Sequence, residues 1–305
     1  MTNDPTYHVI GLGCVCWDFV CIVRHYPALD EKQELTELLQ QGGGPTATGV
    51  VAVARLGGRA AIWGRVGDDE FGHQCINEFQ HEGVDVAHLE IAPDRTTQFA
   101  FCVAEEGSGF RSIFWKPGNM GKLDPEALDT DALLDCKCLL IGAHHSAAAV
   151  RAARIAGAAG IPVVLDLERP GPDDQALLEV ANFPIVPLDY VVGHTGMDDP
   201  VAAGLELHRE LGKLLIVTLG AQGAVAFEGG ELVHGQPAFP VERVVDTTGA
   251  GDVYHGAFAY GFALGHGLQE NMRFAAAVAA LKCRALGGRT GIPARAEVDQ
   301  LLRSA

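Results

Sequence analysis

Asp246-Thr247-Thr248-Gly249-Ala250-Gly251-Asp252 runs on into Val253-Tyr254-His255-Gly256-Ala257, joining a threonine- and glycine-rich turn to an apolar helix through a carboxylate. Gly249 and Gly251 let the backbone turn tightly with its N–H groups bare. A helix beginning near Gly251 adds the positive end of its dipole where an anion can rest. The chemistry this suits is phosphoryl transfer, in which the amides of Gly249, Ala250 and Gly251 hold the transferring group and Asp252 takes the proton of an attacking hydroxyl. The competing reading is an ordinary glycine turn capping a helix.

Other motifs accompany it: the Gly42-Gly43-Gly44 loop with the helix after it, Gly64-Arg65-Val66-Gly67-Asp68-Asp69-Glu70-Phe71-Gly72, Val217-Thr218-Leu219-Gly220-Ala221-Gln222-Gly223-Ala224, and the tail from Gly287 to Pro293. Together with residues 246–252 they resemble the PfkB, or ribokinase-like, family of ATP-dependent carbohydrate kinases over nearly the whole chain. The resemblance implies a ribokinase-like α/β fold, with ATP and Mg2+ as cofactors and a small sugar as acceptor.

Composition agrees with an enzyme of one large domain or two smaller ones. The 305 residues are 48% hydrophobic and 20% charged, enough for a large core. Lys and Arg number 22 against 39 Asp and Glu, a formal charge of -17, which repels nucleic acid and anionic membranes. Met1-Thr2-Asn3-Asp4-Pro5 has no secretory character and no run approaches the roughly 20 apolar residues of a membrane span, so a cytoplasmic protein is expected. The eight cysteines include two CxC pairs, Cys14/Cys16 and Cys136/Cys138, but no CxxC, which favours buried reduced thiols over structural zinc. His144-His145 lacks a third ligand nearby and reads as a pair of pocket or loop histidines.

Strand and helix alternate along the chain. Tyr7 to Cys16 reads as a strand, Thr46 to Leu56 as a helix closed by Gly57-Gly58, Ala60 to Val66 as a strand and Phe71 to Glu82 as an amphipathic helix. Leu139 to Gly142, Ala147 to Ala159 and Ile161 to Asp166 repeat the unit, as do Val201 to Leu211 and Leu214 to Leu219. This pattern predicts a mainly parallel sheet covered by helices on both faces, with ligands outside the carboxyl ends of the strands. Segments 20–40 and 98–115 break the rhythm with β-rich stretches around a Glu105-Glu106-Gly107-Ser108-Gly109 turn; they read as a small β-lid, or as edge strands of the main sheet. The resemblance favours a lid that closes over the sugar and pairs with a second copy in a homodimer, within one kinase domain over 1–305.

Gly11-Leu12-Gly13-Cys14-Val15-Cys16 is no dinucleotide fingerprint, since Cys16 replaces the third glycine, and Gly118-Asn119-Met120-Gly121-Lys122 lacks P-loop spacing. The resemblance assigns substrate binding to Asp18, after the first strand, and to the loop of Gly43 and Gly44, which could also serve as a hinge. Thr48 stands where many relatives carry asparagine. With Ala280-Leu281-Lys282-Cys283 and the Gly287 tail, it makes the chain look most like the 6-deoxy-6-sulfofructose kinase branch. Arg111, Lys116, His144 and His145 are then candidates for an anionic end of the substrate.

For ATP the resemblance points to Thr218, Gly220 and Gly223, which could equally form a plain hairpin turn, and to Thr248, Gly249 and Gly251. Lys282, on an alanine-rich helix from Phe274, would face a phosphate or solvent. Tyr190 to Gly196 lacks the family's Asn-x-x-Glu motif; ATP would normally bring the magnesium ion with it, and Asp166 and Glu168 offer alternative carboxylates near the same strand ends. A monovalent cation near Asp246 is a further possibility of the resemblance. A nucleoside kinase and a silent sugar- or nucleotide-binding regulator are the alternative functions.

Overall fold

The computed structural model describes residues 4–106 and 111–304. Among them, one sheet runs β13-β12-β11-β10-β9-β8-β1-β4-β5, with β1 at Tyr7–Leu12, β4 at Ala60–Gly67, β5 at Leu89–Ala92, β8 at Cys136–Gly142, β9 at Val163–Asp166, β10 at Phe183–Pro187, β11 at Leu215–Thr218, β12 at Ala224–Glu228 and β13 at Glu231–Gln236. All neighbours from β5 to β11 pair parallel, and the last two strands turn back antiparallel. The parallel strands therefore end along one edge, at Leu12, Gly67, Gly142, Asp166, Pro187 and Thr218.

Side-chain alternation splits the core into two layers. Val9, Leu140 and Val164 face one cluster with Val50, Val253, Phe258 and Phe274; Ile10, Leu139, Ile141 and Leu165 face another with Ala149, Leu177 and Leu207. The first layer carries α1 (Pro45–Arg55), α8 (Ala250–Ala263) and α9 (Leu268–Lys282), and the second carries α4 (Ser146–Ala158) and α7 (Pro200–Leu211). Helix α8 is apolar nearly all round and buried from Val253 to Gly261, as a helix enclosed by its neighbours must be. It meets α1 so closely that a Cβ on Gly256 would lie 2.1 Å from the Gly49 carbonyl oxygen. That approach sets the N-termini of α1 and α8 side by side.

The β-rich segments form a separate four-stranded sheet, β3-β2-β6-β7, and not edge strands of the main one. Strand β2 (Cys16–Val23) pairs antiparallel with β3 (Leu35–Gly43) and parallel with β6 (Gln98–Glu105), and β6 pairs antiparallel with β7 (Arg111–Lys116). The expected strand from Tyr7 to Cys16 is thus two. It stops at Leu12, and after Gly13-Cys14-Val15 the chain enters the lid at Cys16. Asp18 lies inside the lid's first strand instead of following the core's. Gly107-Ser108-Gly109, the centre of the expected turn, lies outside the described residues.

Candidate active site

Two loops and the lid converge at the carboxyl edge. Gly249 takes a left-handed conformation at φ 76° and leads into α8, which has no side-chain cap. The loop before it is held from below: Asp246 is fully buried and its Oδ1 accepts from the Thr248 amide (2.8 Å) and hydroxyl (2.7 Å), while Oδ2 accepts from the Gly287 amide (2.8 Å). The Thr248 hydroxyl is therefore committed to the loop and not offered to ATP. Ala250 donates its amide to the Thr247 carbonyl (3.1 Å), so of the three amides expected to hold an anion, one is already used. Gly251, exposed at the start of the helix, and Asp252, half-buried, open the first turn to the cleft.

Burial pushes the Asp252 carboxyl well above the usual carboxylate range, helped by Glu168 and Asp166, while His255 and Arg111 pull it back. A carboxyl raised in this way is the stronger base toward a hydroxyl proton. Asp166, at the end of β9, is buried and pushed up by burial and then by Glu168.

The second loop is Gly42-Gly43-Gly44. Gly44, at φ 96°, turns the chain into α1, where Pro45 occupies the first helical turn. At Gly43 a Cβ would stand 2.0 Å from Asp18 Oδ2, so glycine is what lets the Asp18 carboxyl rest against this backbone. Cys16 Sγ donates to Asp18 Oδ1 (3.2 Å), and burial pushes the Asp18 carboxyl up to about 6. Asp18, Gly43 and Gly44 are thus brought together as the sequence leads one to expect.

Arg289, which the sequence analysis left unnoticed inside the Gly287–Pro293 tail, ties these parts. Its buried guanidinium donates to Glu78 Oε1 (3.0 Å), to the Gly43 carbonyl (3.1 Å) and to Thr48 Oγ1 (3.4 Å), and lies 5.0 Å from the centre of the Phe79 ring. Thr48, expected at the substrate, is buried and receives Arg289. Gln41 of β3, its amide turned to satisfy both ends, accepts from the Gly288 amide (2.6 Å) and donates to Thr290 Oγ1 (3.1 Å). The signal that could have found Arg289 is a lone arginine between glycines, too short a cue without its partners.

Lys282 faces neither phosphate nor solvent. It is fully buried, and its Nζ donates to the Asp246 carbonyl (2.9 Å). Alternation in the lid places Asp18, Ile113, Trp115 and Arg111 on the cleft face and Phe19, Phe101, Phe114 and Lys116 on the other. Arg111 Nη1 donates to Thr247 Oγ1 (3.2 Å), so it meets the anion loop, and Lys116 points away from it. His145 is buried, accepts from the Leu123 amide at Nδ1 (3.2 Å) and is pushed down to about 3 by burial, which leaves the ring neutral with Nε2 as its donor. Thr218 ends β11, and Gly220 and Gly223 form the turn into β12, where a Cβ at Gly223 would lie 2.0 Å from the Gln236 carbonyl oxygen. The eight cysteines are free and buried.

A family model described as pfkB family carbohydrate kinase matches residues 9–295. The chain belongs to the pfkB carbohydrate kinase family. This kinase is 29% identical to a ribokinase of Bacillus subtilis, over 97% of the chain and 99% of the relative. It is 26% identical to a ketohexokinase of Mus musculus, over 93% and 98%. The kinase's fold superposes on a crystal structure of a candidate ribokinase from Agrobacterium tumefaciens with a TM-score of 0.92 at 28% identity, covering 98% of each chain. An Arabidopsis thaliana ribokinase complexed with ribose and ATP shares the fold, at a TM-score of 0.83 and 24% identity over 97% of this chain and 99% of that one.

Among the described residues no three His, Cys, Asp or Glu side chains gather as a group that could hold a metal ion. No helix among them is long and apolar enough to cross a membrane.

Proposed function

We propose that this kinase transfers the γ-phosphoryl group of ATP to a hydroxyl of a small sugar. Asp18 and the Gly43-Gly44 backbone hold the sugar, Asp252 takes the proton of the attacking hydroxyl, and the first turn of α8 holds the transferring group. The sugar oxygen forms the new bond to phosphorus, the bond to the β-phosphate oxygen breaks, and ADP leaves. Mg2+ carried in on the triphosphate would neutralise charge on the phosphate oxygens. The observation that carries this reading is the Gly287–Thr290 segment, which bonds to Asp246 beneath the anion loop at one end and to Gly43 and Gln41 at the other. One rigid strap thereby fixes the distance between acceptor and base. ATP is read at Gly249, Gly251 and the Thr218–Gly223 turn.

Trp115 stands in the same cross-strand row as Asp18, two strands away on the cleft face of the lid, and is largely exposed. Lys122 and His144, which both act on the buried Cys14 thiol, are basic groups that would meet an anionic end such as the sulfonate of 6-deoxy-6-sulfofructose phosphorylated at C1. Release of ADP with MgATP across fructose, sulfofructose, ribose and nucleosides, with the phosphorylated position identified, tests all of this. A nucleoside preference, or binding of sugar and ATP without ADP, would overturn the sugar-kinase reading.

Each oxygen of Asp246 already receives a donor, the carbonyl from the buried Lys282 ammonium. Each of these oxygens keeps a further lone pair, which could serve a monovalent cation at this loop; equal turnover in potassium and tetramethylammonium buffers would remove that cation.

A further inference from the structure

His255 lies one turn after Asp252 on α8, and its ring is buried. Nδ1 is 2.7 Å from the Gly251 carbonyl oxygen in the first turn of the same helix, and Nε2 is 3.0 Å from the Ile185 carbonyl oxygen on β10. Carbonyl oxygens only accept. A neutral imidazole has one N–H and one bare nitrogen, so either tautomer sets a lone pair against one of these oxygens. Only the doubly protonated ring satisfies both. Asp166 Oδ1 lies 3.6 Å from Nε2, and among the described residues neither oxygen of this buried carboxyl has a hydrogen-bond partner.

We propose that His255 is an imidazolium and a positioning residue for Asp252, its fixed charge offsetting the acidic cluster of Asp166, Glu168 and Asp252 and its Nδ1–H bracing the turn that receives the phosphoryl group. The inference rests on the reading of Asp252 as the base. Without a cation at 255, a half-buried base beside two further acids is driven toward its protonated form, which accepts no proton from a hydroxyl. Asp252 feels this balance, since burial, Glu168 and Asp166 raise its carboxyl while His255 and Arg111 lower it.

The charged groups around this point come from several elements. Asp166 ends β9 and Glu168 follows it, Arg111 reaches over from β7, and Lys282 of α9 is an ammonium that burial pushes down. Helix α1 meets α8 at Gly49 and brings no charge there, and β8 approaches Gly49 with Leu140. His255 is the one of these cations bonded within the first turn of α8 and in reach of Asp166.

Two measurements on the full chain test the proposal. In the wild-type kinase labelled with 15N-histidine, long-range 1H–15N correlation at the pH of maximal turnover should show both His255 nitrogens protonated. One protonated and one bare nitrogen would overturn it. In His255→Asn, checked for folding by circular dichroism, the acid limb of kcat/KM should move to higher pH by about one unit, with KM for ATP and sugar little changed on the plateau. A folded variant whose acid limb stays in place would also overturn it. Asp252→Asn separates the two ideas: a loss of about 100-fold or more in kcat is expected for a base. If Asp252→Asn keeps full turnover, the base assignment fails while the ring-nitrogen result still decides the charge of His255.

Discussion

Asp18 is held at a cost that its role explains. The carboxyl is buried under the lid and pushed up to about 6, against about 3.9 for a free aspartate. Between those values the native protein keeps a proton that the unfolded chain has lost, so stability falls as pH rises through this window and stays lower above about 6. Two units at about 1.36 kcal/mol each set an upper scale of roughly 3 kcal/mol. Asp18→Asn, which keeps the shape and loses the charge, should therefore raise stability at neutral pH by on the order of 2 kcal/mol in a urea titration, with the gain vanishing below about pH 4. The same variant should raise KM for the sugar about tenfold or more, because a buried carboxylate is the stronger acceptor for hydroxyls. In the wild type, KM for the sugar should climb as pH falls below about 6. An unchanged KM in Asp18→Asn would take this residue out of the substrate site.

At the scale of elements, what the sequence made legible follows from locality. Helices α1 and α8 and the parallel strands show their periodicity within a dozen residues, and the glycines at 43, 44 and 249 declare turns that other residues resist. Asp18, Gly43 and Asp252 could be named in advance because the family resemblance marks each of them; that Asp18 rests against Gly43 was not legible, since the two lie 25 residues apart. The strand break at Leu12 was hidden, since Val15 and Cys16 continue the apolar run while changing sheets. Arg289 and Lys282 were hidden for another reason: a charged side chain reads as solvated or ligand-facing until its distant partners, Glu78 and the Asp246 carbonyl, are in place. These long-range bonds join the helix α2 (Glu70–His81), the lid and the C-terminal loop. Arg289→Met leaves Glu78, a fifth exposed, without its cation, and the loss should be about 3 kcal/mol in a denaturant titration. KM for the sugar should rise more than KM for ATP, since Gly43 loses its brace. Equal changes in the two would show that Arg289 supports the fold alone and not the sugar loop.

At the scale of the whole molecule, the lid is a sheet with two different faces. Its cleft face carries Asp18 and Arg111. On the other face Phe19 stacks on Phe101 with ring centres 4.9 Å apart, and Phe101 pairs in register with Phe114. Phe114 is 59% exposed, Phe101 44%, and Leu38, on the same face of β3, 59%. A row of large apolar side chains open to water on a thin sheet is costly, at about 25 cal/mol for each Å² left uncovered, and marks a docking surface. We propose that a second copy of this chain covers it, joining two lids into a homodimer. The edge strand β7 presents Phe114 at the centre of such a contact, and a dimer would also stiffen the lid that brings Asp18 to the sugar. Sedimentation velocity at micromolar concentration should give a dimer. Phe114→Glu places a charge in the contact without touching the cleft face, so the variant should sediment as a monomer, with KM for the sugar raised and the fold intact by circular dichroism. A wild-type chain that stays monomeric at all concentrations would leave the aromatic row without a second copy as its partner.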